Sequence, residues 1–198
     1  MLTRTTTAML DDLADPANEA MWRQFDARYR PVLVAFARRL GLGAEDAADA
    51  AQDALTRFLQ AFRAGKYQRG RGRLSSWLIG IARNCIVDLQ RARMVRREQR
   101  GVSALIDLPH DKNLAAIWDA ELDREVLRQA VQKLREGTRL DRRTIRVFER
   151  LVLQQAAPAV VASELNMTMN DVYLAKHRCL KRLRSIVAEL TAAFENDQ

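Results

Sequence analysis

Apolar side chains recur at steps of three and four along nearly the whole chain, and no stretch alternates as a half-buried strand does. Each such stripe predicts an amphipathic helix. Trp22, Phe25, Tyr29, Leu33 and Phe36 mark a helix from Glu19 to about Leu40, preceded by Pro16 and Asn18 and closed by the Gly-Leu-Gly at 41–43. Ala47, Ala51, Leu55, Phe58 and Phe62 mark a second, from about Ala44 to Arg63. The stretch AGKYQRGRGR (64–73) places three glycines among its cations and reads as a loop. Leu74, Leu78, Ile81, Cys85 and Leu89 carry a third helix to about Arg97, with Ser75 or Ser76 as its N-cap and Arg83, Asn84, Asp88 and Arg91 on its polar side.

Residues 98–118 lose this periodicity and contain a Gly and a Pro, so they read as a linker with a short helix near Leu114 to Trp118. Helical spacing returns from Asp119 through Leu134 and breaks at Glu136-Gly137-Thr138. Asp141 caps the next helix, with Ile145, Phe148, Leu151 and Val152 inward. Pro158 suits the first turn of a short helix over 157–165, where its missing N–H costs nothing. Asn166-Met167-Thr168 forms the turn: Asn tolerates a left-handed backbone, and Thr168 with Asp171 makes a capping-box start for a last helix to about Phe194. The expected fold is all-α. An N-terminal extension (1–18) and a first domain (19–97) lead through the linker (98–118) to a second domain (119–198) containing a helix-turn-helix.

Charge changes the picture by where it sits. The formal net charge is +8, yet residues 63–100 alone hold 11 basic and 2 acidic residues, more than the whole net charge. Tyr67 and Trp77 are interleaved with those cations, which suits a nucleic acid: guanidinium groups track phosphates while rings stack on unpaired bases. The bland alternative is a solvated helix face. Cys85 and Cys179 lie far apart on helical stripes and read as buried apolar side chains of a reducing, cytoplasmic compartment. No apolar run has the length of a membrane span, and the N-terminal MLTRTTTAMLDDLAD lacks a signal-peptide core. There is no phosphate-cradling glycine loop followed by Lys-Ser/Thr, no nucleophile elbow and no metal-ligand spacing around His110 or His177, so neither an enzyme nor a cofactor is expected.

Two further faces carry chemistry. On the last helix Val172, Ala175, Cys179, Leu183 and Ile186 form the buried stripe, while Asn170, Tyr173, His177, Lys181 and Arg184, with Lys176 beside them, form a face able to donate to base edges and phosphates. A plain helical hairpin would show the same spacing. In AADAAQDALTRF (47–58), Asp49, Gln52, Asp53 and Arg57 share a polar face that could dock a protein partner.

Taken together, AADAAQDAL, GRLSSWLIGIARNCIVDLQR and VVASELNMTMNDVYLAKHRCLKRLR resemble the second and fourth conserved regions of the extracytoplasmic-function (ECF) sigma factors of bacterial RNA polymerase, over about 20–95 and 120–187. The V-Y-x-A-K-x-R-x-L-K-R-L-R ending is most similar to those of planctomycete-like bacteria. The resemblance implies a promoter-specificity subunit without catalytic residues. Asp49, Gln52, Asp53 and Arg57 would dock on the clamp helices of the polymerase core. Lys66, Tyr67, Arg69, Arg71, Arg73, Trp77, Arg83, Asn84 and Arg91 would hold and open the −10 element. Asn170, Tyr173, Lys176, His177 and Lys181 would read the −35 element. An anti-sigma protein is a further partner of such factors. Val160 stands where the family has an acid, and Gln155 and Asn166 stand where it has glycines. A dimeric helix-turn-helix regulator independent of polymerase, or an RNA-binding or scaffold protein, are the alternatives.

Overall fold

Three helices end on the same left-handed device. In the computed structural model, which describes residues 7–15, 17–68, 72–98, 111–137 and 139–195, α1 (Thr7–Ala14), α2 (Glu19–Arg39) and α3 (Ala44–Arg63) open the chain. Gly41 (φ +94°) closes α2 and Gly65 (φ +68°) closes α3. In each case the glycine N–H and the one after it return to carbonyls of the last turn, Gly41 to Arg38 and Leu42 to Ala37, Gly65 to Phe62 and Lys66 to Ala61. α4 (Leu74–Glu98) and α5 (Asp111–Glu136) follow. α6 (Arg142–Phe148) widens into a π turn at Glu149–Leu153, and α7 (Pro158–Glu164) and α8 (Met169–Glu195) complete an all-helical fold; among the described residues there is no strand.

The chain divides into two compact units: residues 1–125 with 194–198, and residues 126–193. In the first, α2, α3 and α4 bury Phe25, Val32, Leu33, Phe36, Leu55, Phe58, Leu74, Leu78, Cys85 and Ile86. Four alanines of α3 (47, 50, 51 and 54) are buried, and their small side chains let neighbouring backbones approach. α1 contributes Leu10 and Leu13 to the same core. Gln90 fixes the end of α4 on that of α2, its amide donating to the Leu40 carbonyl at 3.1 Å inside the core.

α4 differs from its expected pattern in two respects. It begins at Leu74, where the Trp77 N–H bonds to the Arg73 carbonyl, so Ser75 and Ser76 lie inside the first turn rather than capping it. Its buried stripe centres on Leu74, Leu78, Ala82, Cys85 and Ile86, with Ile81 and Leu89 at the margin. A larger difference is α5. It is one continuous helix from Asp111, and its first turns, read above as linker, bury Leu114 and Trp118. Trp118 is 1 % exposed and meets Phe36 edge-to-face at 5.6 Å, so this segment is part of the first unit's core.

In the second unit Asp141 caps α6 through the Thr144 N–H (2.8 Å) and hydroxyl (2.7 Å), which hold its carboxyl below the usual range. Val147, Val161, Ala162, Val172 and Ala175 form the core, with Leu151, Ala156, Leu165 and Met167 packed on it. The π turn sets Leu151 and Val152 only half inside. Gln155 (φ +54°) ends that turn and Asn166 (φ +49°) ends α7, both left-handed.

Candidate nucleic-acid interface and docking face

Ion pairs tie down the polar face of α3. Arg57 reaches Asp53 on its own helix at 2.8 Å and Asp88 on α4 at 3.1 Å, and these two partners raise its pKa. Gln52 accepts from Arg30 of α2 at 2.5 Å, and Arg30 is itself held by Asp26 in a two-bonded pair. Asp46 pairs with Arg93. Gln52, Asp53 and Arg57 are therefore each held by a neighbouring side chain, with Asp49 exposed one turn earlier. Arg30 and Asp88, which do the holding, come from other helices and carry no local signal in the sequence.

The loop after α3 ends an aromatic ladder. Phe25 stacks on Phe58 (4.7 Å between centroids), Phe58 meets Trp77 (5.2 Å), and Tyr67 stacks on Trp77 (5.1 Å, 22° between planes) and on Phe62 (5.9 Å). Trp77 is thus half-buried, with Tyr67 against one of its faces. Lys66 and Arg73 flank Tyr67 in the exposed loop, while Arg69 and Arg71 lie outside the described residues. Beyond the ladder a cleft of about 550 Å³ is walled by Trp77, Gly80, Arg83 and Asn84 of α4 and by Leu114 and Ala115 of α5. Asn84 is exposed, Arg83 half-buried, and Arg91 continues the exposed side of α4 two turns on.

The α7–turn–α8 pair of the second unit is braced by two arginines. Arg143 donates to the carbonyls of Leu165 and of Asn166 (2.5 Å), tying the turn between α7 and α8 to α6. Arg150 binds Glu164 through two bonds (2.8 and 2.5 Å) and Gln154 through a third, and Glu164 is lowered in pKa by that contact. Thr168 and Asp171 cap α8 reciprocally, the Asp171 N–H donating to Oγ1 at 3.1 Å. Asn170, Tyr173, His177 and Lys181 project, exposed, from α8, and Lys176 is half-buried beside them. Among the described residues no group of His, Cys, Asp and Glu could hold a metal ion, and no helix is long and apolar enough to cross a membrane.

Residues 25–100 match Sigma-70 region 2. The match begins within α2 and takes in α3, the loop after it and α4, so the polar face of α3 and the Trp77 wall of the cleft lie on one segment similar to Sigma-70 region 2. α5 to α8, with the helix-turn-helix, lie beyond it. No curated protein matches the chain. In the first unit the sequence names Asp88 and Phe62 only as members of helix faces, and it misses Arg30 and the α5 side of the cleft. In the second unit it misses Arg143 and the exposed Leu174.

Proposed function

We propose that the chain is an ECF-type sigma factor: it binds the RNA polymerase core through region 2, recognises and opens the −10 element with the same region, and reads the −35 element with α8. One observation carries this reading. The segment matching Sigma-70 region 2 presents a held acidic–polar face on α3 and, on α4 and its preceding loop, a cationic surface ending in stacked rings. A docking face and a single-strand face on one small module suit a subunit that couples an enzyme to melted DNA.

Asp49, Gln52, Asp53 and Arg57 meet the clamp helices of the largest subunit. Separating the strands costs a few kcal/mol per unstacked base. Stacking on the Tyr67–Trp77 end of the ladder and phosphate contacts from Lys66, Arg69, Arg71, Arg73, Arg83 and Arg91 offset that cost, with Asn84 at the base edges. Asn170, Tyr173, Lys176, His177 and Lys181 enter the major groove at −35. The chain acts in the cytoplasm, where its enzyme is, and the VYLAKHRCLKRLR ending supports the planctomycete-like group. An anti-sigma protein is the regulatory partner this class implies.

Adding the protein to bacterial core polymerase and genomic promoter fragments should give run-off transcripts. Asp49→Arg with Gln52→Ala should abolish co-elution with core while leaving helicity unchanged. Absence of transcript from every fragment, together with tight binding of palindromic duplexes without core, would instead establish a polymerase-independent regulator.

A further inference from the structure

The outward face of α8 holds apolar groups that neither the fold nor hydrogen bonding requires. Leu174 is 42 % exposed and Tyr173 51 % exposed, with Met169 also exposed at the start of the helix. Leu174 stands among polar neighbours at helical spacing: Asn170 four residues before it, His177 three after, Arg178 four after and Lys181 seven after, all exposed. The buried stripe of the same helix (Val172, Ala175, Cys179, Ile186) occupies the opposite side, so Leu174 is not a core residue at the margin. Single exposed leucines are ordinary on protein surfaces. Here an adjacent apolar pair lies in the first turns of a helix whose start is fixed by the Thr168–Asp171 cap and the Arg143 brace.

Of the four bases, thymine alone shows an apolar group in the major groove, its 5-methyl. We propose that Leu174, flanked by Tyr173, selects thymine in the duplex element read by α8 through contact with that methyl, while Asn170, His177 and Lys181 supply the polar contacts around it. This rests on the assignment of α8 to the −35 duplex. The surrounding charge favours DNA over a protein surface as the occupant: the exposed neighbours of Leu174 are an amide, an imidazole and cations, and the first-turn acid Asp171 is turned to Thr168.

The test uses the full chain bound to core polymerase. Randomised duplexes are selected on this complex, and each thymine of the enriched sequence is replaced by deoxyuridine, which removes the methyl and nothing else. One or two of these replacements should weaken wild-type binding about 4-fold each, the worth of burying one carbon. The Leu174→Ala variant should bind the thymine and uracil duplexes equally, and bind the uracil duplex as the wild type does. Equal binding of both duplexes by the wild type would overturn the proposal and leave the apolar pair as a protein contact. So would an undiminished thymine preference in Leu174→Ala. Enrichment that Lys176→Ala with Lys181→Ala leaves unaltered would instead remove the −35 assignment itself, and this inference with it.

Discussion

The segment similar to Sigma-70 region 2 and the α7–turn–α8 pair differ in what they hold still. In the first, several of the residues proposed to bind are themselves engaged: Gln52 by Arg30, Asp53 by Arg57 (which also reaches Asp88), Trp77 by Tyr67. In the α7–turn–α8 pair the frame is engaged, by Arg143, by the Arg150–Glu164 pair and by the α8 cap, while Asn170, Tyr173, His177 and Lys181, the residues proposed to meet DNA, project into solvent. The first arrangement spends conformational entropy during folding, so less is lost on docking. The second leaves side chains adaptable on a rigid helix. Substitutions in region 2 should therefore disturb stability and binding together, whereas those on α8 should disturb binding alone.

The largest expected contrast sets Phe58→Ala against Tyr173→Ala. Phe58 is fully buried at the centre of the ring ladder, so its truncation should cost about 3–5 kcal/mol and loosen Trp77 and Tyr67 with it. Tyr173→Ala should shift stability by less than about 0.5 kcal/mol. Denaturant unfolding of both variants decides the matter; equal losses would erase the distinction between the two regions.

Alkaline pH probes both cores at once. Burial pushes the Cys85 thiol up to about 12 and the Cys179 thiol up to about 11. The folded chain thus keeps protons that the unfolded chain releases from about pH 8.5, so stability is full below that pH and falls as pH rises toward 11. The slope approaches about 1.4 kcal/mol per pH unit for each thiol. Cys85→Ala and Cys179→Ala together should flatten the unfolding free energy against pH relative to wild type; an unchanged slope would place the titrating groups elsewhere.

A smaller effect is expected from Arg143→Ala, which frees the turn between α7 and α8 without touching the α8 face. It should cost about 1 kcal/mol of stability and weaken duplex binding beyond that, because the start of α8 loses its fixed position. Lysine should not rescue it, since one ammonium lacks the planar fork that reaches two carbonyls. Wild-type affinity in Arg143→Ala would show that the cap on α8 suffices.

How much of this was legible in the sequence depends on the range of the interaction. Helix ends set by local chemistry were readable: Gly41, Gly65 and Asn166 with their left-handed turns, Asp141 and the Thr168–Asp171 box as caps. The stretch from Leu114 to Trp118 was readable only as a short helix in a linker; its continuity with the rest of α5 and its place in the core were not, because Leu114 and Trp118 gain meaning only against Phe36, far away in sequence. The Arg57–Asp88 and Arg30–Gln52 bonds join residues 31 and 22 positions apart and leave no periodic trace. The half-burial of Trp77 follows from a loop residue, Tyr67, folding back on it. The π turn at 149–153 also escapes a pattern reading, since one widened turn keeps the apolar residues and changes only how deeply they sit.

Gln155→Gly should act with the opposite sign. Gln155 holds φ +54° with its side chain exposed, in the turn that joins the π segment to α7. A left-handed backbone costs a residue with a Cβ roughly 1–2 kcal/mol, whereas glycine adopts it freely but gives up roughly 0.5–1 kcal/mol through the greater freedom of its unfolded chain. The difference leaves a gain of about 0–1.5 kcal/mol for Gln155→Gly. Asn166→Gly, at φ +49°, should change stability little, because asparagine is among the few side chains that tolerate this region. Chemical unfolding of the two variants separates strain from mere geometry. A gain at Gln155 without one at Asn166 would mean that the brace around Arg150 holds a strained turn, so that the rigidity of the helix-turn-helix frame comes from side-chain bonds overriding backbone preference. A loss at Gln155 would mean that the turn is relaxed as it stands, and that the frame needs no such override to present α8.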